Sequence, residues 1–189
     1  AFKFHSQGNI QEAAKYYQSY IDQGFNDHRV FSNYGIILKD LGRLKEAELS
    51  LRKAIKVNPD SPDYHSNLGG ILRDLGKLKE AELSLRKAIE LDPNFPNAHL
   101  NLGNMLKDID KLKEAELSIR KAIELNPNLA IAHFNLGGIL NDLGNLQEAE
   151  LSTRKAIEMD PNFPNAHLNL GNILKDIGQL KEAELSTRR

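Results

Sequence analysis

Apolar and polar positions alternate with a helical period along most of the chain. His99, Leu102, Gly103 and Leu106 follow the i, i+3, i+4, i+7 spacing of one buried helical face. A second face of the same kind follows at Leu112, Ala115, Ile119, Ala122 and Ile123. This pattern predicts two amphipathic helices that pack closely, because small residues lie at matched places on both.

The pattern returns at a fixed interval. The stretch from Asn94 to Asn104 recurs almost unaltered from Asn162 to Asn172. One glycine marks the same position in each copy, 34 residues after the last, at Gly35, Gly69, Gly103, Gly137 and Gly171. Such a period is typical of a solenoid of stacked units. We therefore predict a single array over 1–189, with complete units 28–61, 62–95, 96–129 and 130–163 between partial units 1–27 and 164–189.

Proline and glycine mark where helices begin and end. The prolines are tolerated in the first turn of a helix and end the preceding one, and they fall between units at Pro59, Pro62, Pro93, Pro96, Pro127, Pro161 and Pro164. Glycines that can adopt the left-handed conformation fall in mid-unit at Gly8, Gly42, Gly76, Gly144 and Gly178. Asp110 replaces the missing glycine, so we expect that turn to be the weakest.

These motifs identify a family. The unit has Asn-Leu-Gly in its first helix, Leu-Gly-x-Leu-x-Glu-Ala at the turn and Ala-Ile-Glu-Leu-Asp-Pro at its close, and it resembles the tetratricopeptide repeat in a bacterial-type tandem array. The resemblance implies an all-α fold, an α-solenoid that forms a right-handed superhelix of antiparallel helix pairs. It also implies a protein-protein interaction scaffold with first helices lining a concave groove. One departure is that His65, His99, His133 and His167 occupy the slot usually held by Trp or Tyr.

The residues that should face the groove follow from helical geometry. At 100° per residue, Asn97, Asn101 and Asn104 lie opposite the buried face. Other first helices carry Asn33, Asn67, Asn135, Asn165, Asn169 and Asn172. Asparagine is unfavourable inside a helix, and its amide supplies the donors and acceptor that pair with an extended peptide backbone. The alternative is that these amides cap neighbouring backbone groups or were copied when the array expanded.

Apolar and charged residues complete the predicted groove. Leu100, Phe134 and Leu168 are expected to form apolar pockets, and Arg73 and Lys107 lie near the rim, each followed by an aspartate. The groove is therefore predicted to be mixed in charge. That favours a partner protein or peptide that is extended and offers both backbone and apolar contacts, rather than an acidic tail.

Composition excludes several other functions. A formal net charge of −1 gives no basic footprint for nucleic acid or a membrane surface. Histidines on successive helix pairs are separated by about 8–10 Å or more, too far to share an ion, so neither a metal nor a cofactor is predicted. No catalytic set of residues is recognisable, so we do not expect an enzyme. The alternative is a substrate-presenting or assembly arm of a larger enzyme such as a transferase.

The first 27 residues are unusually aromatic. Six of the chain's twelve aromatic residues lie there, at Phe2, Phe4, Tyr16, Tyr17, Tyr20 and Phe25. A terminal repeat needs a polar outer face, so we expect this edge to meet a further repeat or to mediate self-association. The chain begins with Ala1 rather than Met, which suggests a fragment, and the absence of cysteine favours a cytoplasmic location.

Overall fold

A computed structural model describes residues 9–187, apart from the side chains at 181, 182, 184 and 187. The described chain forms eleven α-helices. They are α1 (Ile10–Asp22), α2 (His28–Asp40), α3 (Leu44–Val57), α4 (Pro62–Asp74), α5 (Leu78–Leu91), α6 (Pro96–Asp108), α7 (Leu112–Leu125), α8 (Ala130–Asp142), α9 (Leu146–Met159), α10 (Pro164–Ile177) and α11 (Leu180–Thr187). No strand occurs between residues 9 and 187.

The helices form two compact units, Ala1–Pro93 and Asn94–Arg189. In the first unit, α2 packs on α3 and α4 on α5, and α3 also contacts α4. In the second unit, α6 packs on α7, α8 on α9 and α10 on α11, with α7 and α9 each contacting the first helix of the next pair. The predicted all-α solenoid of stacked helix pairs is therefore confirmed.

The turns within the pairs have the predicted left-handed residues. Gly42, Gly76, Gly144 and Gly178 have φ values of 73°, 74°, 79° and 90°. Asp110 takes the same place with φ 60°, and it is the one residue other than glycine with a positive φ among those described. Gly8 lies outside the described residues. The sequence did not predict a further left-handed glycine, Gly24, after α1.

First helices approach their partners at the recurring glycine, namely at Gly35, Gly69, Gly103 and Gly137. A Cβ built on Gly103 would lie 2.6 Å from Ile119 Cδ1 and 3.1 Å from the Ala115 carbonyl oxygen. A methyl group at this position would force the Ile119 side chain to move, so glycine allows the two backbones to come this close. The predicted close packing through small residues is therefore confirmed at Gly103. Gly70, which follows the equivalent Gly69 on α4, has open space around its Cβ position.

Proline and histidine recur where one repeat ends and the next begins. Pro62, Pro96 and Pro164 are each the first residue of a helix, as predicted. A histidine lies three residues after the start of the first helices α4, α8 and α10. Its ring hydrogen-bonds to the carbonyl oxygen of the proline at the end of the preceding repeat. The Nε2 distances are 2.8 Å for His65 to Pro59, 3.0 Å for His133 to Pro127 and 3.0 Å for His167 to Pro161. These rings therefore pack and hydrogen-bond locally.

The second helices carry ion pairs between positions i and i+4. The shortest distances are 2.9 Å for Glu48–Arg52, 2.7 Å for Glu82–Arg86, 2.8 Å for Glu116–Arg120 and 2.8 Å for Glu150–Arg154. Among these four glutamates, Glu48 is the buried one. Its carboxylate is buried and also accepts hydrogen bonds at 2.8 and 3.0 Å from Lys77 at the start of α5. This acidic side chain therefore joins successive second helices.

Candidate functional site

The candidate site is the amide face, which we define within each unit as the asparagine-bearing side of its first helices, α2 and α4 in the first unit and α6, α8 and α10 in the second. The asparagines of this face differ in their exposure to solvent, according to their place along the helix. Near helix starts or on outer turns, Asn97, Asn165 and Asn172 are exposed, whereas Asn33, Asn67, Asn101, Asn104, Asn135 and Asn169 are half-buried. Neighbouring side chains decide what each half-buried amide can bind.

Two of these amides bind each other. The Asn135 Nδ2 on α8 donates to the Asn104 Oδ1 on α6 over 2.7 Å. The bond links successive first helices of the second unit. This hydrogen bond uses one N–H of Asn135 and one lone pair of Asn104. Fewer hydrogen-bonding groups of these two amides therefore remain for a ligand than the sequence indicated.

The next repeat lacks this bond. Asn169 of α10 is equivalent to Asn135, and the position equivalent to Asn104 is Gly138. The Asn169 Nδ2 is buried and has no hydrogen-bond partner, and the same is true of the Asn141 Oδ1 in the last turn of α8. Most buried polar groups in proteins are hydrogen-bonded. An unpaired donor and an unpaired acceptor therefore mark this part of the amide face as unusual.

The charged residues of the face pair across repeats. The Lys107 Nζ lies 3.0 Å from Asp142 Oδ2 on the next first helix, and the Lys39 Nζ lies 3.5 Å from Asp74 Oδ2 in the first unit. Arg73 contacts its neighbour Asp74 at 3.2 Å. The Lys107 Nζ also lies 3.2 Å from where a Cβ on Gly138 would be. The face is mixed in charge, in agreement with the prediction.

The predicted apolar pockets are only partly present. Leu100 is 8% exposed, so the prediction that it opens an accessible pocket is wrong, because packing covers it. Phe134 is half-buried and its ring lies 4.9 Å from that of Phe163, the residue that precedes α10. Leu168 is 52% exposed and directly precedes Asn169. An accessible apolar side chain and an unpaired amide therefore lie side by side on α10.

The aromatic residues of the N-terminal edge differ in their exposure to solvent. Tyr17 is buried and its ring lies 6.4 Å from Tyr34, whereas Tyr16 and Phe25 are exposed. Phe25 stacks on Tyr20 with ring centroids 4.5 Å apart. The predicted Phe2 and Phe4 lie outside the described residues. Self-association through this edge stays a prediction.

Sequence reasoning missed one repeated surface feature. Five leucines on the second helices are exposed at the same position of each repeat, namely Leu49, Leu83, Leu117, Leu151 and Leu185. The signal was present in the recurring Glu-Leu-Ser of these helices. The helical period also indicates it, because Leu117 lies two residues from both Ala115 and Ile119 and so faces away from the buried side of its helix.

Two other kinds of site are absent from the described part of the chain. Between residues 9 and 187, no group of three or more His, Asp or Glu side chains is placed to hold a metal ion. No helix in the same range combines the length and the apolar character needed to span a bilayer.

Comparison with known proteins identifies the class. A family model described as TPR repeat matches residues 35–71 and 69–110. Two models described as Tetratricopeptide repeat match residues 119–150 and 153–184, and 96–129. No curated protein matches the chain. The chain belongs to the tetratricopeptide repeat family, and the class so defined is a protein-protein interaction scaffold.

Solved structures share the fold. MamA is 27% identical over 82% of this chain and 90% of its own, with a TM-score of 0.70. YrrB, described as a TPR protein with an unusual peptide-binding site, is 23% identical over 92% of this chain and 89% of its own, with a TM-score of 0.66. PilW, described as a widely conserved type IV pilus biogenesis factor, is 19% identical over 98% of this chain and 86% of its own, with a TM-score of 0.88.

Proposed function

We propose that this chain binds an extended peptide segment of another protein along the amide face, with the strongest polar contact at Asn169. The observation that carries the proposal is the unpaired, buried Nδ2 of this residue. Leaving a buried donor without a partner costs about 1–3 kcal/mol. A ligand carbonyl that accepts from this nitrogen would supply the missing partner.

The chemistry around Asn169 favours a peptide. A peptide backbone offers an acceptor and a donor in each residue, and Asn169 Nδ2 and Asn141 Oδ1 are an unpaired donor and acceptor on neighbouring first helices. The terminal torsion of an asparagine side chain is soft, so a small rotation presents the Asn169 amide to a ligand. The exposed Leu168 then contacts an apolar side chain of the same segment.

The contrast with the preceding repeat supports this location. The Asn104–Asn135 bond at 2.7 Å satisfies the equivalent amides within the protein. Gly138 removes that internal partner from Asn169, and the Lys107 ammonium lies over Gly138 in its place. The Asn104 and Asn135 amides are therefore paired with each other, whereas the Asn169 donor is left without a partner.

The alternative, a substrate-presenting or assembly arm of a larger enzyme, would use the same surface. No contact within residues 9–187 favours this alternative over the binding of an extended segment. Binding of an extended segment is therefore proposed as the function, whatever the chain is attached to.

The test is selection of peptides from a random decapeptide library, followed by affinity measurement with three variants. Asn169→Leu removes the donor, and Gly138→Asn supplies the internal partner found at Asn104. Both should weaken binding about tenfold or more, the effect of losing a hydrogen bond to a desolvated group. The matched control is Gln147→Leu, which removes an exposed amide from the second helix α9 and should leave affinity unchanged.

Two results would contradict the proposal. One is a selected peptide whose affinity survives both Asn169→Leu and Gly138→Asn, provided that circular dichroism shows intact helicity. The other is a library that yields no binder to the wild type.

A further inference from the structure

The five exposed leucines recur at one position of the second helices. They form an apolar surface, whereas the amide face on the first helices is polar. In the second unit, Leu117, Leu151 and Leu185 are 69%, 68% and 64% exposed. They succeed one another at intervals of 34 residues, on α7, α9 and α11. We call these three residues the leucine column. Single exposed leucines are ordinary, but a column at one repeat position indicates an interaction surface.

A crevice lies beside each of the last two leucines. Leu151 lines a cavity of about 490 Å³ between α7 and α9, together with Ile123 and Leu136. Leu185 lines the equivalent cavity of about 390 Å³ between α9 and α11, together with Ile157 and Leu170. The same surface therefore presents protruding leucines and apolar hollows at the same interval.

The rims of these crevices carry both signs of charge. Arg120 and Glu148 form an ion pair at 2.6 Å across the first crevice, and Glu124 and Lys155 line its sides. Arg154 and Glu158 line the second. A balanced rim of this kind is electrostatically complementary to another copy of itself. It does not favour a strongly acidic or basic partner, since like charges placed opposite each other are unfavourable.

We propose that the leucine column is a self-association surface that pairs with the same surface of a second copy of this chain. In a two-fold interface the same patch contributes on both sides, so it must carry both the protruding groups and the hollows that receive them. The column and its crevices meet that requirement. Leucines of one copy enter the crevices of the other, and the charged rims surround them.

The first unit carries the same elements. Leu49 is exposed and lines a smaller crevice of about 150 Å³ with Ile21, Phe31 and Leu38. The surface differs from the aromatic N-terminal edge, because its exposed leucines lie on the second helices from α3 onwards, and first-helix residues such as Leu136 and Leu170 complete its crevices. It also differs from the amide face, so the proposal stands independently of peptide binding.

Sedimentation equilibrium of the full chain over a range of concentrations tests the proposal. The wild type should show a concentration-dependent dimer. Leu151→Glu should raise the dissociation constant by about tenfold or more, because it places a charge in an apolar crevice of the second copy. The side chain is exposed in the single chain, so the variant should fold normally, which circular dichroism checks.

The matched control is Leu168→Glu, which puts the same charge on an exposed leucine of the first helix α10. It should leave the dimer unchanged. A wild type that stays monomeric up to about 1 mM, the range of the weakest specific associations, would overturn the proposal. So would a dimer that Leu151→Glu leaves intact. Binding of a monomeric wild type to phosphatidylcholine vesicles, lost in Leu151→Glu, would overturn it in favour of a lipid surface.

Discussion

Asn135 donates its side-chain amide to Asn104 over 2.7 Å, whereas Asn169, one repeat later, has no partner because its counterpart is Gly138. One residue type therefore has two roles on the amide face. The paired amides join neighbouring first helices, and the unpaired one is available to a ligand. Substitutions at the two places should affect stability and binding separately.

The Asn104–Asn135 bond should be measurable as a coupling energy. In a double-mutant cycle with Asn104→Ala and Asn135→Ala, we expect a coupling of about 0.5–1.5 kcal/mol, the net value of one hydrogen bond. The cycle cancels the gain in helix propensity that each alanine brings. Urea unfolding gives the four free energies. Strictly additive effects would show that the bond contributes nothing to the fold.

Two adjacent glycines of α4 should respond to alanine with opposite signs. Gly69→Ala places a Cβ 2.5 Å from Leu85 Cγ and should destabilise the protein by about 1–3 kcal/mol through overpacking. Gly70→Ala meets nothing within 4 Å and should stabilise it by about 0.4–1 kcal/mol, because the unfolded chain loses freedom. Thermal unfolding of both variants gives the comparison. A loss of stability at Gly70 would contradict the packing described for α4.

The turn at Asp110 should open more readily than the glycine turns. In this turn the Lys111 amide donates to Leu106 over 2.9 Å, and the equivalent Lys77 amide donates to Leu72 over 2.8 Å. A left-handed conformation costs more for aspartate than for glycine, so the Lys111 amide should exchange hydrogen faster than that of Lys77. Asp110→Gly should slow exchange to the rate of Lys77. Equal rates in the wild type would show that Asp110 causes no local weakness.

Asp27 should make the start of α2 sensitive to acid. Hydrogen bonds from the Arg29 side chain, and then from its backbone N–H, lower the pKa of the Asp27 carboxyl from 3.8 to about 2. Because the folded pKa lies below the unfolded one, the stabilisation is complete above about pH 4 and is lost as the pH falls towards 2. Asp27→Asn keeps an N-cap acceptor but cannot titrate.

The difference in melting temperature between wild type and Asp27→Asn should therefore shrink between pH 4 and pH 2. At neutral pH, Asp27→Ala should cost about 0.5–2 kcal/mol, the usual value of an N-cap. A difference between wild type and Asp27→Asn that is constant over this pH range would rule out the titration.

Much of the fold could be predicted because the signals are local. Pro62, Pro96 and Pro164 begin helices, and Gly76 or Gly144 ends one, through the backbone preferences of those residues alone. The helical period then indicated which faces meet. These features need no knowledge of the neighbouring repeat.

The properties that could not be predicted depend on that neighbour. Leu100 and Leu168 occupy the same repeat position, yet packing covers the first and leaves the second exposed. Glu48 looks like a solvated helix residue until Lys77 is placed beside it. The helical period can predict that the leucine column faces outward, but the crevices beside it depend on the next repeat.

Hydrogen bonds between successive repeats have a kinetic consequence. Asn104 and Asn135 are 31 residues apart, and His28 and Tyr64, which bond at 2.6 Å in the first unit, are 36 apart. Each bond closes a loop of about one repeat, so the entropic cost of closure stays small and does not grow with the length of the array. Within each of the two compact units, folding can start at any helix pair and spread to the next. Removal of one pair should therefore slow neither the initiation of folding nor its spread through the remaining pairs.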